Sequence, residues 1–154
     1  MTRRAAVAAV LGAVSLAGCG TNERGRPTNR LIVLGRSIAG IQLSEQRKSV
    51  EKALGPGKPT ERGVVSYFGG RLVVDYWFHD GLTDRVQSLD TGWSGFRSRT
   101  GVHVGSTRKD LNAVHAGCAV ADQCSLQAGP MPDAPGTIFT LRRGKVVDIL
   151  VGYA

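Results

Sequence analysis

The sequence predicts an α+β fold of two tandem repeats, each a short helical segment followed by antiparallel strands, with the helices on one face of a sheet. Three observations predict it. Residues 40–55, Gly-Ile-Gln-Leu-Ser-Glu-Gln-Arg-Lys-Ser-Val-Glu-Lys-Ala-Leu-Gly, are echoed from Gly101 as Gly-Val-His-Val-Gly-Ser-Thr-Arg-Lys-Asp-Leu-Asn-Ala-Val-His. At a constant offset Ile41 matches Val102, Leu43 matches Val104, Val50 matches Leu111 and Ala53 matches Val114. Self-similarity of this kind means two copies of one supersecondary unit sharing a core. Each copy is followed by hairpin-like strand patterns closed by glycine turns. Finally, 154 residues with 42% hydrophobic side chains and 21 glycines suit one core crossed by many turns.

The first residues read as an address. Arg3 and Arg4 precede a small apolar run from Ala5 to Leu16, which is followed by Ala17-Gly18-Cys19. A positive start, an apolar run of about a dozen residues and small residues at the cut describe a secretory signal peptide over 1–18. That run is shorter than the roughly 20 residues a permanent membrane span needs. The ending Leu16-Ala17-Gly18-Cys19 resembles the bacterial lipobox. The resemblance implies that the Cys19 thiol carries diacylglycerol and that Cys19 becomes the mature N-terminus, an anchor on the extracytoplasmic side of the cell membrane. Residues 19–30 are polar and read as a flexible tether, about 35 Å when extended.

The first repeat is assigned to 31–95. Leu31 to Leu34 is a short apolar run that is either strand or helix. Ser44 is the expected N-cap, with Glu45 at the positive end of the helix dipole and Val50, Ala53 and Leu54 on the buried face. Gly55-Pro56 stops the helix. Three strands follow. Val64–Phe68 ends at Gly69-Gly70. Arg71–His79 alternates, with Leu72, Val74, Tyr76 and Phe78 inward and Val73, Asp75, Trp77 and His79 on the other face. Asp80-Gly81 makes a hairpin into Leu82–Leu89. Trp77 is then either a partner-binding aromatic flanked by Asp75 and His79, or it packs under a loop or the other repeat. Asp90 to Thr100 reads as a connection whose Trp93 and Phe96 either clamp the repeats or extend the partner surface.

The second repeat is assigned to 96–154. Ser106 or Thr107 caps its helix, and Thr107 with Asp110 has capping-box spacing; Leu111 and Val114 form the buried face. If Cys19 is lipidated, Cys118 and Cys124 are the remaining cysteines of an exported domain, and a disulfide between them is expected. A metal site drawing on His103, His115, Cys118 and Cys124 matches no common zinc spacing, so no metal or other cofactor is expected. Residues 127–136, with Pro130, Pro132 and Pro135, read as an extended loop. Thr137–Leu141, an Arg142-Arg143-Gly144 turn and Lys145–Gly152 form the closing hairpin. In this alignment the disulfide loop and proline segment stand where a first strand should be.

The stretch Gly-Ile-x-Leu-Ser-x-x-x-x-x-Val-Glu-x-x-Leu-Gly at 40–55, echoed at 101–115, resembles the repeat of β-lactamase-inhibitory proteins and the unit of BamE/SmpA outer-membrane assembly lipoproteins. The resemblance spans residues 38–154 and implies a concave sheet whose open face binds a protein partner. The inhibitors carry a disulfide in each repeat and are freely secreted, whereas here one cysteine pair accompanies an anchor signal.

The function expected is therefore a membrane-anchored, non-catalytic protein-binding module, with Asp75, Trp77, His79, Asp80 and Trp93 as partner-binding candidates. The alternatives are an inhibitor of a secreted or envelope hydrolase, with Asp80 entering a basic pocket, or an envelope assembly lipoprotein. No nucleophile–histidine set, phosphate loop or dinucleotide fingerprint has a local signature, so no enzyme is expected. The net charge of +8 is spread along the chain. It reads as a solvated surface or as weak affinity for anionic lipid or wall polymer, not as a nucleic-acid reader.

Overall fold

Alternating strands with one apolar face must hide that face against another layer, and here both short helices and a small second sheet serve that purpose. The computed structural model describes residues 27–77, 84–116, 118, 122–129 and 134–153. In chain order the elements are β1 (Leu31–Val33), β2 (Ser37–Ile38), β3 (Ile41–Gln42), α1 (Arg47–Leu54), β4 (Lys58–Glu61), β5 (Val64–Tyr67), β6 (Leu72–Tyr76), β7 (Val86–Thr91), β8 (Arg97–Ser98), α2 (Arg108–Val114), β9 (Gln123–Gln127), β10 (Gly136–Arg142) and β11 (Lys145–Gly152).

One sheet has seven strands in the order β4-β5-β6-β7-β11-β10-β9, every neighbour antiparallel. Strands from the earlier and later parts of the chain meet at β7 and β11, where Thr91, Asp90, Leu89 and Ser88 pair with Ile149, Leu150, Val151 and Gly152. The small sheet runs β3-β2-β1-β8, with β1 and β8 parallel. Leu72, Val74, Tyr76, Leu89, Phe139, Ile149 and Val151 point to one side of the large sheet and are at most 1% exposed. Val50 of α1, Leu111 of α2 and Ile32, Ile38, Ile41, Phe96 and Val102 join them in one core. Each such side chain contributes about 1.5–3 kcal/mol on burial.

The two helices are approached alike. Ser44 N donates to Val86 O (2.8 Å), Val86 N to Glu45 O (2.9 Å) and Arg47 N to Asp84 O (2.7 Å). Position for position, Gly105 N donates to Val146 O (2.7 Å), Val146 N to Ser106 O (2.9 Å) and Arg108 N to Gly144 O (2.8 Å). The caps differ. At α2 the Thr107 hydroxyl accepts from Asp110 N while the Asp110 carboxylate accepts from Thr107 N, a complete capping box. At α1 the expected Ser44 cap is absent. Ser44 sits at φ 63°, held by its bond to Val86, so the helix starts later, at Gln46, which makes no side-chain cap. Glu45 instead accepts from Gln42 N.

Other expectations are corrected. Ala53 is exposed and Val114 is 39% exposed, so Val50 and Leu111 alone are the buried residues of the helices. Of the two readings left open for Leu31 to Leu34 the structure has the strand, at Leu31–Val33, and Lys58–Glu61 adds an edge strand that its proline and charges concealed. The tether ends sooner than Arg30: Pro27 is buried, and Arg30 O accepts from Arg97 N. Asp90 and Thr91 belong to β7, and β8 turns the expected connection into part of a sheet. The strand that seemed replaced by the disulfide loop exists as β9 and carries Cys124. Phe78 to Thr83, Pro130 and Pro132 lie outside the described residues.

Candidate functional site

The face of the large sheet turned away from the helices is built by the alternation that buries the other. Register pairs define three rows of side chains across it. The first is Lys58, Ser66, Val73, Asp90, Leu150, Ile138 and Ser125. The second is Val64, Asp75, Ser88, Gly152, Gly136 and Gln127, with Glu61 beyond Val64. A third is Asp148, Thr140 and Gln123. Val64, Val73, Ile138 and Leu150 are half-buried and stand outside the core. The rows hold four carboxylates and one basic side chain, Lys58 at the β4 edge, in a chain whose net charge is +8.

The carboxylates are not evenly solvated. Asp90, opposite Leu150 in register, reaches Asp148 diagonally across the β7–β11 seam, and the two share a hydrogen bond. Burial, then that hydrogen bond, then the neighbouring charge push Asp90 up to about 7. Asp75 is also raised, by burial first and by Glu61 second, against a backbone hydrogen bond. Like charges in a partly desolvated row disfavour simultaneous ionisation. The arrangement attracts cations and can hold one proton between two carboxyl groups near neutral pH.

Asp75 and Trp77 share this face, as the alternation predicted. Trp77 is half-buried one row beyond Asp75, where its N–H donates to Arg85 O (2.8 Å), and its ring is 6.3 Å from that of Tyr153, whose hydroxyl hydrogen-bonds Ser44 Oγ (3.1 Å). Trp93 is elsewhere. It packs edge-on against buried Phe96 at 5.1 Å, with the guanidinium groups of Arg71 and Arg30 at 5.0 and 5.8 Å from its ring. Thr91 Oγ1 fixes the turn beneath it, accepting from Trp93 N and donating to Arg71 O (2.6 Å). Arg71 and Trp77 bracket β6, so Trp93 stands about 20 Å from Trp77. His79, Asp80 and Cys19 lie outside the described residues. Cys118 and Cys124 form a disulfide, Cα atoms 5.1 Å apart.

Sequence reading missed the Asp90–Asp148 pair, because neither residue has a local motif and strand pairing alone brings them together. Elsewhere, buried Tyr67 and Tyr76 hydroxyls bond at 3.1 Å beneath Arg47, which pairs with Glu51 at 2.8 Å. Burial raises both tyrosines, and the group fastens α1 to the sheet. A cleft of about 700 Å³ lies between α1 and β5. Its titratable side chains are Lys58 and Tyr67, which supply no acid–base pair. Among the described residues no three His, Cys, Asp or Glu side chains gather as a metal site, and no helix is long and apolar enough to cross a membrane.

No protein-family model matches the chain, and no curated protein matches it. Among solved structures it is similar to an extracellular protein containing a SCP domain from Bacillus anthracis str. Ames, with 8% identity and a TM-score of 0.41. The similarity covers 72% of this chain and 44% of that one, so the chain spans less than half of that protein's length.

Proposed function

We propose that this chain is an exported, lipid-anchored, non-catalytic module that binds a protein partner through the open face of its large sheet. The observation that carries the reading is the composition of that face. Val64, Val73, Ile138 and Leu150 alternate with Glu61, Asp75, Asp90 and Asp148, against one basic side chain, Lys58 at the β4 edge, in a strongly basic protein. Apolar area framed by predominantly acidic side chains suits a partner surface that is apolar and studded with Lys or Arg. Trp77 at the rim adds the kind of aromatic that anchors interfaces.

The lipid anchor on Cys19 is supported by the signal-like run and the lipobox resemblance. Two copies of one unit, on the pattern of the inhibitory proteins and assembly lipoproteins, are supported by the matched backbone bonds at the two helix approaches. The mirrored strand order about β7 and β11 points the same way. The hydrolase-inhibitor alternative rests on the resemblance to the inhibitory-protein repeat; Asp80, its candidate for a basic pocket, lies outside the described residues.

The test is affinity capture from solubilised envelope of the producing cell. Wild type is compared with Asp75→Lys/Asp148→Lys and with Lys48→Asp/Lys109→Asp on the helix side. Binding through the open face predicts a protein held by wild type and the helix-side variant, lost from the face variant and weakened by salt. Equal capture by all three folded proteins would refute it.

A further inference from the structure

On the other side of the molecule the outward face of the small sheet has the opposite character. Gln42 pairs with Ser37, and Ser37 with Val33. One step beyond the parallel Ile32–Ser98 pair, Val33 stands beside Arg99. Arg36 closes the β1–β2 turn, its N–H donating to Val33 O at 3.0 Å. Arg99 projects from the turn closed by Gly101 N donating to Ser98 O, also at 3.0 Å. Two guanidinium groups from separate turns thereby line one concavity of about 230 Å³, with Gln42, Ser37 and Asn29 around it and Leu31 and Val33 as its floor. Neither arginine forms an ion pair with a described carboxylate. Arg97, paired in register with Leu31, adds to the positive potential.

Converging arginines unneutralised by acid, beside hydroxyl and amide donors, are the chemistry that recognises phosphate. The planar guanidinium grips two oxygens at once, and Ser and Gln donate to the rest. The volume is below the roughly 300–1,000 Å³ of clefts that enclose a drug-sized molecule, so it suits a single headgroup-sized anion. We propose that the Arg36–Arg99 cleft binds a phosphate oxyanion, carried either by an anionic lipid headgroup or by free phosphate. The site is independent of the open-face partner. The lipid source draws on the proposed Cys19 anchor, which would hold this basic surface near a membrane, where anionic headgroups attract Lys and Arg.

The experiment uses the full chain, Arg36→Gln/Arg99→Gln, and Arg142→Gln/Arg143→Gln, which removes the same charge at the β10–β11 turn. Inorganic phosphate is titrated against each while backbone amides are followed by NMR. Expected are shifts at Val33, Ser37, Gln42 and Arg99. Removing the bidentate donors should weaken affinity about tenfold, while the β10–β11 control stays within about twofold. Arg36→Lys/Arg99→Lys keeps the charge without the fork and falls between them. In parallel, each protein is floated with vesicles of phosphatidylcholine alone or with added phosphatidylglycerol. All carry the same N-terminus, so a preference for the anionic vesicle that disappears in the glutamine variant assigns the lipid source. Phosphate binding without that preference assigns free phosphate. Absence of both responses, or equal loss in the β10–β11 control with all proteins folded, overturns the proposal.

Discussion

Replacing Asp90 with Asn should stabilise the protein at alkaline pH, and the size of the gain follows from where Asp90 sits. It is flanked in register by Val73 and Leu150 and hydrogen-bonded to Asp148, and burial is the main reason its pKa rises from 3.8 to about 7. Between those values the folded chain keeps a proton that the unfolded chain has released. The unfolded state then binds fewer protons, so unfolding free energy falls as pH rises, and the penalty is complete above pH 7. The whole shift corresponds to about 4 kcal/mol; at a half-exposed position solvent screening leaves about 1–2 kcal/mol. Asn keeps the shape and a donor toward Asp148 while removing the charge. In thermal unfolding by circular dichroism, Asp90→Asn should raise Tm at pH 8 by about 3–6 °C and have almost no effect at pH 4. An equal loss of Tm at both pH values would show that Asp90 is not a desolvated, proton-sharing acid.

The remaining predictions concern the scaffold. Thr107→Ala breaks the α2 capping box and should cost about 1 kcal/mol in denaturant unfolding, whereas Gln46→Ala at the uncapped α1 should cost almost nothing. Asp110 is held below the usual carboxylate range by the Thr107 hydroxyl, so its contribution is present at neutral pH and lost as pH falls through that lowered value. Cys118→Ser/Cys124→Ser opens a small loop and should cost about 2 kcal/mol by equilibrium unfolding, an effect that added reductant reproduces in wild type. Trp93→Ala empties the stack on Phe96 and should cost about 2–3 kcal/mol while leaving capture by the folded protein unchanged. Loss of capture at unchanged stability would move Trp93 to the binding surface.

Legibility in the sequence followed the range of the interaction. Alternation in residues 72–77 was readable because period two is imposed by the strand itself, and it correctly put Asp75 and Trp77 opposite Leu72, Val74 and Tyr76. The Thr107–Asp110 box was readable because three residues settle it. Ser44 was misread because its conformation is set by Val86, far along the chain, which pulls it into the left-handed region and delays the helix. The Cys124 strand was hidden because its exposed edge alternates polar residues around one cysteine. The Asp90–Asp148 pair and the Arg36–Arg99 cleft depend wholly on which strands become neighbours, and no local pattern encodes that.

Binding through the open face is tested most directly by photo-crosslinking in the producing cell. A photoreactive residue is placed singly at Ser66 and Ser88 on that face, and at Lys48 and Lys109 on the helix side. A common protein adduct from Ser66 and Ser88, absent from Lys48 and Lys109 and abolished by Asp148→Lys, is the predicted result. Adducts from the helix-side positions alone would contradict it.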